Sequence, residues 1–388
     1  MIRFVGRRLL WSALTLWAVV TVSFFLMRAA PGGPFDSDKP LPEAVRANLQ
    51  RTFGLAADIA APVAGTVSSI RVKPGEHVSQ GAVIAVISAQ GGGLADVVVD
   101  RQTEIGVVLA SAGDAVAKGR AIAVRPTSAG EQYATSLRSY ASGDFGVTYT
   151  SEGSRTVLEN VQQGFSVSLE LGLYALLVAL LVGVGSGALA GYKHGSWWDH
   201  AAMAGALTAV SLSTIVLGPL FVLVFCVQLG WFPWGGWQAW TWSGDAALVK
   251  VLPSVTLGLV YAAWFSRLTR AGMVEVLQQP WIQTARAKGL TEWHVLTRHA
   301  LLPALLPPLA YLGPALAGIV TGSVVIERIF AVPGIGEHFV SAALNRDYPM
   351  VMGTVVLYAT LLIAANLLVD VLHAAIDPRV RSRALAGE

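Results

Sequence analysis

The residues best suited to an interaction lie in one polar stretch, residues 281–298, which reads WIQTARAKGLTEWHVLTR between two long apolar segments. Pro280 suits the first turn of a helix, where a missing backbone N–H costs nothing. Gly289 suits the left-handed residue that follows a helix end, and Thr291 is a good N-cap for a following helix. The sequence therefore predicts a short helix that is too polar to be buried in a membrane.

Six residues of this stretch form what we call the docking segment. They are Thr284, Ala285, Arg286, Ala287, Lys288 and Gly289. The two alanines permit close approach by a partner protein, and the two basic side chains are suited to pairing with acids in a partner's groove. These residue types favour docking to a partner protein.

A second candidate site lies in the last apolar segment, where Asn366 and Asp370 are one helical turn apart. Polar groups inside a membrane span are commonly functional. Two interpretations stay open for this pair: a gating or substrate contact, and a hydrogen bond to a neighbouring helix. The histidines are scattered without the spacing of a metal motif, so the sequence predicts no metal site within this chain. The chain also contains no G-x-x-x-x-G-K-S/T phosphate loop.

Composition indicates an integral membrane protein. The chain has 388 residues, of which 54% are hydrophobic and 13% are charged, whereas soluble domains carry roughly 25% charged residues. The single cysteine, Cys226, lies in an apolar run and excludes an internal disulfide framework. Basic residues cluster at the ends of apolar segments, as orientation signals do, and this pattern argues against a nucleic-acid partner.

Apolar runs predict six membrane spans, since about 20 apolar residues are needed to cross a bilayer. The predicted spans are residues 9–27, 165–192, 200–229, 248–268, 301–326 and 351–376. Arg3, Arg7 and Arg8 place the N-terminus in the cytoplasm by the positive-inside rule, and six crossings return the C-terminus to the same side. Five tryptophans in residues 231–242 are typical of an interfacial belt, and a ligand-binding aromatic cluster is the alternative.

Glycines repeat every fourth residue in the second predicted span, at Gly183, Gly187 and Gly191. Small residues on one helix face let two helices approach closely in a membrane. This pattern predicts helix packing and does not require these glycines to line a pore.

The first loop, residues 28–164, is far longer than six-span packing requires, and it contains an internal repeat. VKPGEHVSQGAVIAV (72–86) aligns with ASAGDAVAKGRAIAV (110–124), so that Gly75 meets Gly113 and Gly81 meets Gly119. Short Val/Ile/Ala segments broken by Gly and Pro predict strands and turns. Glycines at these turns are expected to take positive φ.

This repeat resembles the barrel-sandwich fold of biotinyl and lipoyl carrier domains. In that family a lysine on the hairpin between the two halves takes the cofactor, but here that hairpin reads SAQGGGLAD (88–96). Lys73 and Lys118 lie instead beside the repeat turns. The resemblance therefore implies a small all-β insert that serves as a recognition or spacer module outside the cytoplasm, without swinging-arm chemistry.

The polar stretch and its flanks resemble ABC-importer permeases. TARAKGL followed by HVLTRHALLPALLP is similar to the coupling motif of the dipeptide, oligopeptide and nickel permeases, specifically their B-type subunit. SLELGL (168–173), ERIFAVPGIGEHFVSAALNRDYPMVMG (327–353) and NLLVDVLHAAIDPRVR (366–381) also resemble that family. Thr284, Leu302, Pro303 and His373 depart from its usual residues, and these departures weaken any assignment of the substrate.

The resemblance implies an all-α polytopic fold of the ABC type I importer permease, with about six transmembrane helices and the all-β insert in its first extracytoplasmic loop. It implies that the docking segment contacts ATPases. The implied partners are a C-type permease in a heterodimer, two cytoplasmic ATP-binding subunits, an extracytoplasmic solute-binding protein and the lipid membrane. No cofactor is expected in this chain, because ATP and Mg would bind to the partner ATPases. The implied location is the bacterial inner membrane, with both termini in the cytoplasm.

The predicted organisation has four parts. Residues 1–56 hold the first span and its exit, 57–128 the β insert, 129–164 an extracytoplasmic linker, and 165–388 the permease core with five spans. Peptides are the expected substrate, with nickel or another small solute as the alternative. A function of another class, a membrane-anchored biotin or lipoyl carrier or an envelope adaptor, is disfavoured by the missing carrier lysine and by the absence of long coiled-coil heptads.

Overall fold

The computed structural model describes residues 2–29, 43–89, 92–149 and 155–376. The chain divides into two units. We call the first the helical unit; it comprises Met1–Ser23, Gly153–Asn345 and Pro349–Glu388. We call the second the β unit; it comprises Phe24–Glu152 and Arg346–Tyr348.

Thirteen α-helices and two π-helical segments lie in the described residues. The helices are α1 (Ile2–Ala29), α2 (Glu43–Thr52), α3 (Ala129–Ala141), α4 (Val157–Tyr192), α5 (Trp197–Ser211), α6 (Thr214–Phe221), α7 (Asp245–Leu277), α8 (Pro280–Ala287), α9 (Glu292–His294), α10 (Leu301–Ala304), α11 (Leu306–Ile329), α12 (Ile335–Leu344) and α13 (Tyr348–Ile376). The π-helical segments are Val222–Gln228, after α6, and Val295–Ala300, after α9.

Four of the described helices are long and apolar enough to cross a membrane: α1, α4, α7 and α13. Two further pairs pass the same test only together. Trp197–Ser211 and Thr214–Gln228 are bent by 102°, and Glu292–Ala304 and Leu306–Leu316 by 52°. Counting each bent pair as one span gives the six that the sequence predicts.

The helices extend beyond several of the predicted segments. The second predicted span, residues 165–192, lies within α4, which begins at Val157 behind a capping box in which Thr156 and Glu159 exchange hydrogen bonds. The third predicted span, residues 200–229, is formed by two helical pieces with a break after Ser211. The stretch predicted as an extracytoplasmic linker, 129–164, contains α3 and the first turns of α4.

Contacts between helices fix their relative directions. A Cβ on Gly183 would lie 2.6 Å from the Ala262 carbonyl oxygen, and a Cβ on Gly187 would overlap the Ser266 carbonyl oxygen. Contact positions therefore increase together along α4 and α7, and the two helices are parallel. Two parallel neighbouring spans require the chain to cross back between them, and the bent pair of α5 and α6 is the segment available for that crossing. The same contacts confirm that these glycines serve helix packing.

The β unit contains nine strands in the described parts of residues 56–126. They are β1 (Ala56–Ala60), β2 (Gly65–Ile70), β3 (His77–Val78), β4 (Val83–Ala89), β5 (Leu94–Val98), β6 (Thr103–Glu104), β7 (Val107–Val108), β8 (Ala115–Val116) and β9 (Ala121–Pro126). They form three antiparallel sheets in the orders β1-β9-β7, β5-β4-β2-β8 and β3-β6. The strands therefore occupy the segment predicted to be β.

The predicted turn glycines have the expected backbone. Gly75 and Gly81 have φ of +83° and +83°, and their repeat mates Gly113 and Gly119 have +97° and +85°. The strands enclose an apolar core in which Ile84, Ile87, Ile105 and Ile122 are at most 1% exposed. The sequence repeat is thus a structural repeat around one core.

Candidate functional site

The docking segment lies on and immediately after α8. As predicted, Pro280 is the first residue of this helix, and Gly289 has φ +78°, the left-handed conformation expected after the helix end. Thr291 precedes α9 as its N-cap residue with extended backbone, but its side chain makes no capping hydrogen bond. Pro280 and Gly289 therefore mark the start and the end of α8 as the sequence predicts.

One face of α8 is buried against its own chain. Ile282 is 0% exposed and Ala285 is 6% exposed, and both belong to an apolar cluster with Met273 of α7 and Val295 and Ala300 of the second π-helical segment. The expectation that Ala285 allows a partner to approach is therefore wrong. Ala285 is small because α8 lies directly on α7 and the π-helical segment, and this burial fixes α8 to the helical unit.

The opposite face of α8 is exposed. The exposed residues of the docking segment are Thr284, Arg286, Ala287, Lys288 and Gly289. The Arg286 guanidinium donates to the Glu292 carboxylate, with Nη2 to Oε1 at 2.7 Å. Both side chains are 42% exposed, and an ion pair of this kind contributes about 0–1 kcal/mol. Arg286 already has an acid in its own chain, so Lys288 is the freer cation for a partner's acid.

The π-helical segment Val295–Ala300 lies directly under α8. A π-helix places residues five apart on one face, and the rings of His294 and His299 accordingly lie 5.8 Å apart between centroids. Trp281 is 51% exposed and Trp293 is 77% exposed at either end of this region. No sequence signal predicted the π-helix, because six residues are too few to establish an apolar period.

A buried ion pair joins α5 to α7, near the end of α7 that leads into α8. Asp199, 3% exposed, accepts hydrogen bonds from Arg270 Nε at 2.5 Å and Nη2 at 2.8 Å. Gly195 N–H donates to the same carboxylate at 3.0 Å, and His194 Nδ1 lies 3.1 Å from it. This pair fixes the first half of the bent span to the helix that leads into α8.

A second buried pair joins α4 and α7 near their N-terminal ends. Lys250 Nζ donates to Glu170 Oε1 at 2.6 Å, and the two residues are 1% and 0% exposed. The Trp240 N–H donates to Glu170 Oε2 at 2.9 Å. The rings of Trp237 and Trp242 lie 5.5 Å and 5.2 Å from Lys250 Nζ. The tryptophan-rich loop is therefore anchored to two spans by one ion pair, while Trp231, Trp234, Trp240 and Trp242 expose more than half of their surface.

A third buried carboxylate holds the N-terminus of α12. Glu327 Oε1 accepts a hydrogen bond from Ser168 Oγ at 2.6 Å, and Oε2 accepts one from Gly336 N–H at 2.8 Å. Ile335 N–H donates to Ser168 Oγ at 2.9 Å. A carboxylate at a helix N-terminus satisfies N–H groups that have no partner within the helix. This arrangement explains the glycines of VPGIG, because a Cβ on Gly334 would overlap the Glu327 carboxylate.

The last predicted pair is only half described. Asn366 is partly buried in α13, and its Oδ1 would lie 2.9 Å from a Cβ on Gly313 of α11. The side chain of Asp370 lies outside the described part of the structure. The contact of Asn366 with α11 fits a helix-packing role, and the gating interpretation stays a prediction. Among the described residues no group of three or more His, Cys, Asp or Glu could hold a metal ion.

The partners of these three buried carboxylates could not be predicted from the sequence. Glu170 and Lys250 are 80 positions apart, Asp199 and Arg270 are 71 apart, and Ser168 and Glu327 are 159 apart. The available signal was an isolated charge inside an apolar span, which is costly unless a partner compensates it. That signal identifies the residue but not its partner.

Comparison with known proteins gives consistent matches. Residues 183–382 match the family described as "Binding-protein-dependent transport system inner membrane component". The chain is 37% identical over 381 residues to the oligopeptide transport system permease protein OppB of Salmonella typhimurium, covering 98% of this chain and 100% of that protein. It is 31% identical to the dipeptide transport system permease protein DppB of Bacillus subtilis, covering 98% of both. A solved structure of the MetNI methionine ABC transporter in inward-facing conformations is 20% identical, with a TM-score of 0.46, and covers 57% of this chain and 97% of the solved chain.

Proposed function

This chain belongs to the family of binding-protein-dependent transport system inner membrane components, and we propose that it is a permease subunit of an ATP-driven peptide importer. The substrate class rests on relatives that are 31–37% identical over nearly the whole chain and are named for oligopeptide and dipeptide transport. Nickel or another small solute is the alternative within the same class.

The observation that carries the mechanism is that α8 has one buried face and one exposed face. Its inner face is fixed by Ile282 and Ala285 to the end of α7 and to the π-helical segment, while its outer face is exposed. A helix held in this way moves with the elements beneath it. A push on α8 is therefore passed to α7, and close glycine contacts pass it from α7 to α4.

The energy for this motion comes from outside the chain. The sequence contains no phosphate loop, so ATP and Mg bind to partner subunits and this chain is not itself an ATPase. The partners in this proposal are a C-type permease, two cytoplasmic ATP-binding subunits and an extracytoplasmic solute-binding protein. The protein is a multi-pass inner-membrane subunit in this proposal, with both termini in the cytoplasm, as the basic residues at the ends of its apolar segments indicate.

The β unit has a separate role in this proposal. Its repeat glycines and single apolar core support a barrel sandwich of the biotinyl and lipoyl type. Lys73 and Lys118 lie near the repeat turns, whereas the hairpin that carries the cofactor in carrier domains contains no lysine. The module therefore acts as a spacer or recognition domain. We expect the intact mass of the purified protein to show no biotin or lipoyl adduct.

The test of the coupling role targets the exposed face of α8. Ala287→Trp adds a large side chain to this face without removing a contact within the chain, and the double change Arg286→Glu with Lys288→Glu reverses its charge. Lys193→Glu, at the end of α4 and outside the docking segment, is the matched charge control. We expect the α8 variants to lose co-purification of the ATPases and peptide uptake into proteoliposomes, whereas the control keeps both.

The double charge variant also brings a second carboxylate next to Glu292, in place of the Arg286 guanidinium, so Ala287→Trp is the cleaner of the two. Ion-mobility or thermal-shift measurement of the purified subunit checks that the variant remains folded. If ATPase binding and peptide-stimulated ATP hydrolysis persist in Ala287→Trp at wild-type levels, α8 is not the site of coupling.

A further inference from the structure

One face of α7 carries a stripe of exposed residues that the described part of the chain does not cover. Trp264, Arg267, Ala271 and Glu275 are exposed, and their spacing of three, four and four residues places them on one side of a helix. The rest of α7 is the most buried of the four long apolar helices. The stripe is thus a narrow exposed surface on a helix that is otherwise largely buried.

Arg267 is held in place by aromatic rings. Its guanidinium carbon lies 5.4 Å from the centroid of Trp264. The Trp264 ring in turn lies 5.9 Å from the ring of Tyr311 on α11, which also packs edge-on against Phe265 at 5.7 Å. An arginine stacked on an aromatic face loses some of its side-chain freedom and keeps its fork of N–H donors available.

Arg267 differs from its neighbour Arg270. Arg270 is turned toward α5 and makes a buried ion pair with Asp199, whereas no acid lies within 4.0 Å of Arg267 among the described residues. Lys193 also lies over a tryptophan, Trp198, at 5.4 Å, but it follows the end of α4 and does not belong to α7. Arg267 is therefore the basic residue of α7 with an aromatic support and an open donor face.

Arg267 lies at the α8 end of the membrane span that α7 provides. It is one residue before the end of the predicted span, residues 248–268. It follows Lys250 by 17 residues, which is roughly 26 Å along a helix, and precedes the end of α7 by ten residues, or roughly 15 Å. A guanidinium at this level is within reach of water and of a charged group that leaves the membrane on the side of α8.

We propose that Arg267, supported by Trp264 and Tyr311, forms a carboxylate-binding wall in the half of the translocation pathway nearest to α8, and that it takes the C-terminal carboxylate of the passing peptide. The inference rests on the proposed peptide-import function. A guanidinium binds a carboxylate through two parallel N–H···O bonds. The adjoining rings of Trp264 and Tyr311 offer apolar surface to peptide side chains of differing shape. Because the site is partly exposed, the contact is weak and compatible with release.

The test compares two peptides that differ only at the C-terminus. A free-acid peptide and its C-terminal amide are delivered by saturating binding protein to the complete transporter in proteoliposomes, and the ratio of their initial uptake rates is measured. The binding protein contributes equally to this ratio in every variant, so a change in the ratio comes from the permease. Arg267→Gln is compared with Arg267→Lys and with the control Lys193→Gln.

We expect Arg267→Gln to lower free-acid uptake about tenfold, as loss of one charge-assisted hydrogen bond predicts, and to leave amide uptake unchanged. The free-acid uptake rate of Arg267→Lys should lie between those of wild type and Arg267→Gln, because lysine keeps the positive charge but cannot donate two parallel hydrogen bonds. Lys193→Gln should keep the wild-type ratio of the two uptake rates. An equal loss of uptake for the free-acid peptide and its amide would overturn the proposal. If that loss came with dissociation of the permease pair, it would assign Arg267 to an acid of the partner. If it changed with the anionic lipid content of the vesicles, it would assign Arg267 to a lipid phosphate.

These outcomes separate the inference from the function on which it rests. Wild-type vesicles that import neither peptide would contradict the peptide-import function itself. Wild-type vesicles that import both peptides, with a ratio that Arg267→Gln leaves unchanged, would contradict the carboxylate wall alone.

Discussion

Glycine serves opposite purposes in the two units of this protein. In the β unit, Gly75 and Gly113 have φ of +83° and +97°, and a Cβ on either would meet nothing within 4 Å. In the helical unit, Gly183, Gly187 and Gly191 have ordinary helical backbone, but a Cβ on each would overlap atoms of α7. The first group is needed for the conformation of the chain, and the second for the space between two helices.

The difference follows from the surroundings in which each unit folds. The β unit encloses an apolar core, and burial of apolar side chains from water drives its folding. Inside a membrane, the lipid tails are as apolar as leucine side chains. Helices there associate through close packing and polar contacts instead. The helical unit accordingly combines glycine contacts with the fully buried ion pair of Lys250 and Glu170, whereas the β unit has ion pairs at its surface, such as Arg51 with Asp58, whose side chains are 36% and 38% exposed.

The largest expected effect comes from breaking a buried pair in the helical unit. Lys250→Met leaves Glu170 buried without its cation, which costs about 3–5 kcal/mol, whereas Arg51→Met at the surface of the β unit should cost about 0–1 kcal/mol. Thermal unfolding of the detergent-purified subunit measures both. Glu170→Gln combined with Lys250→Met should recover much of the loss, because it removes the uncompensated charge. A comparable loss for Lys250→Met and Arg51→Met would contradict this contrast.

A smaller effect is expected at the contact between α4 and α7. Gly187→Ala places a methyl group on the Ser266 carbonyl oxygen and forces the helices apart, at a cost of about 1–3 kcal/mol. Gly185 is the matched control, since it lies on the same helix and a Cβ there meets nothing within 4 Å. Gly185→Ala should be neutral or stabilising, because alanine is the better helix former. Thermal stability in detergent distinguishes them, and equal values for the two variants would exclude a packing role for Gly187.

Local features of the fold were predictable from the sequence, and long-range features were not. The start of α8 at Pro280, the left-handed Gly289 and the turn glycines of the repeat follow from the conformational limits of proline and glycine. Six apolar runs predicted the number of spans. The 102° bend after Ser211 was missed, because neither a proline nor a glycine lies between α5 and α6 to signal it.

The candidate site was predictable only on its exposed side. Residue type and polarity identified the docking segment, but the burial of Ala285 and the pairing of Arg286 with Glu292 depend on how α8 lies on its neighbours. Buried pairs such as Asp199 with Arg270 depend on which helices become adjacent, and an isolated sequence contains no measure of that. The stripe around Arg267 emerges for the same reason only when the other faces of α7 are covered.

The smallest expected effect tests the turn glycines of the β unit. Gly75→Ala places a side chain in the left-handed region and costs about 1–2 kcal/mol, although no atom blocks it. Asparagine tolerates this conformation better than alanine, so Gly75→Asn should cost less than Gly75→Ala. At Gly187 the order must reverse, because asparagine is larger than alanine and space is the limit there. Hydrogen exchange of residues 65–89 and of α4 in the intact subunit measures how much the alanine and asparagine variants destabilise each region. The same order at both positions would mean that one physical reason accounts for glycine in both units.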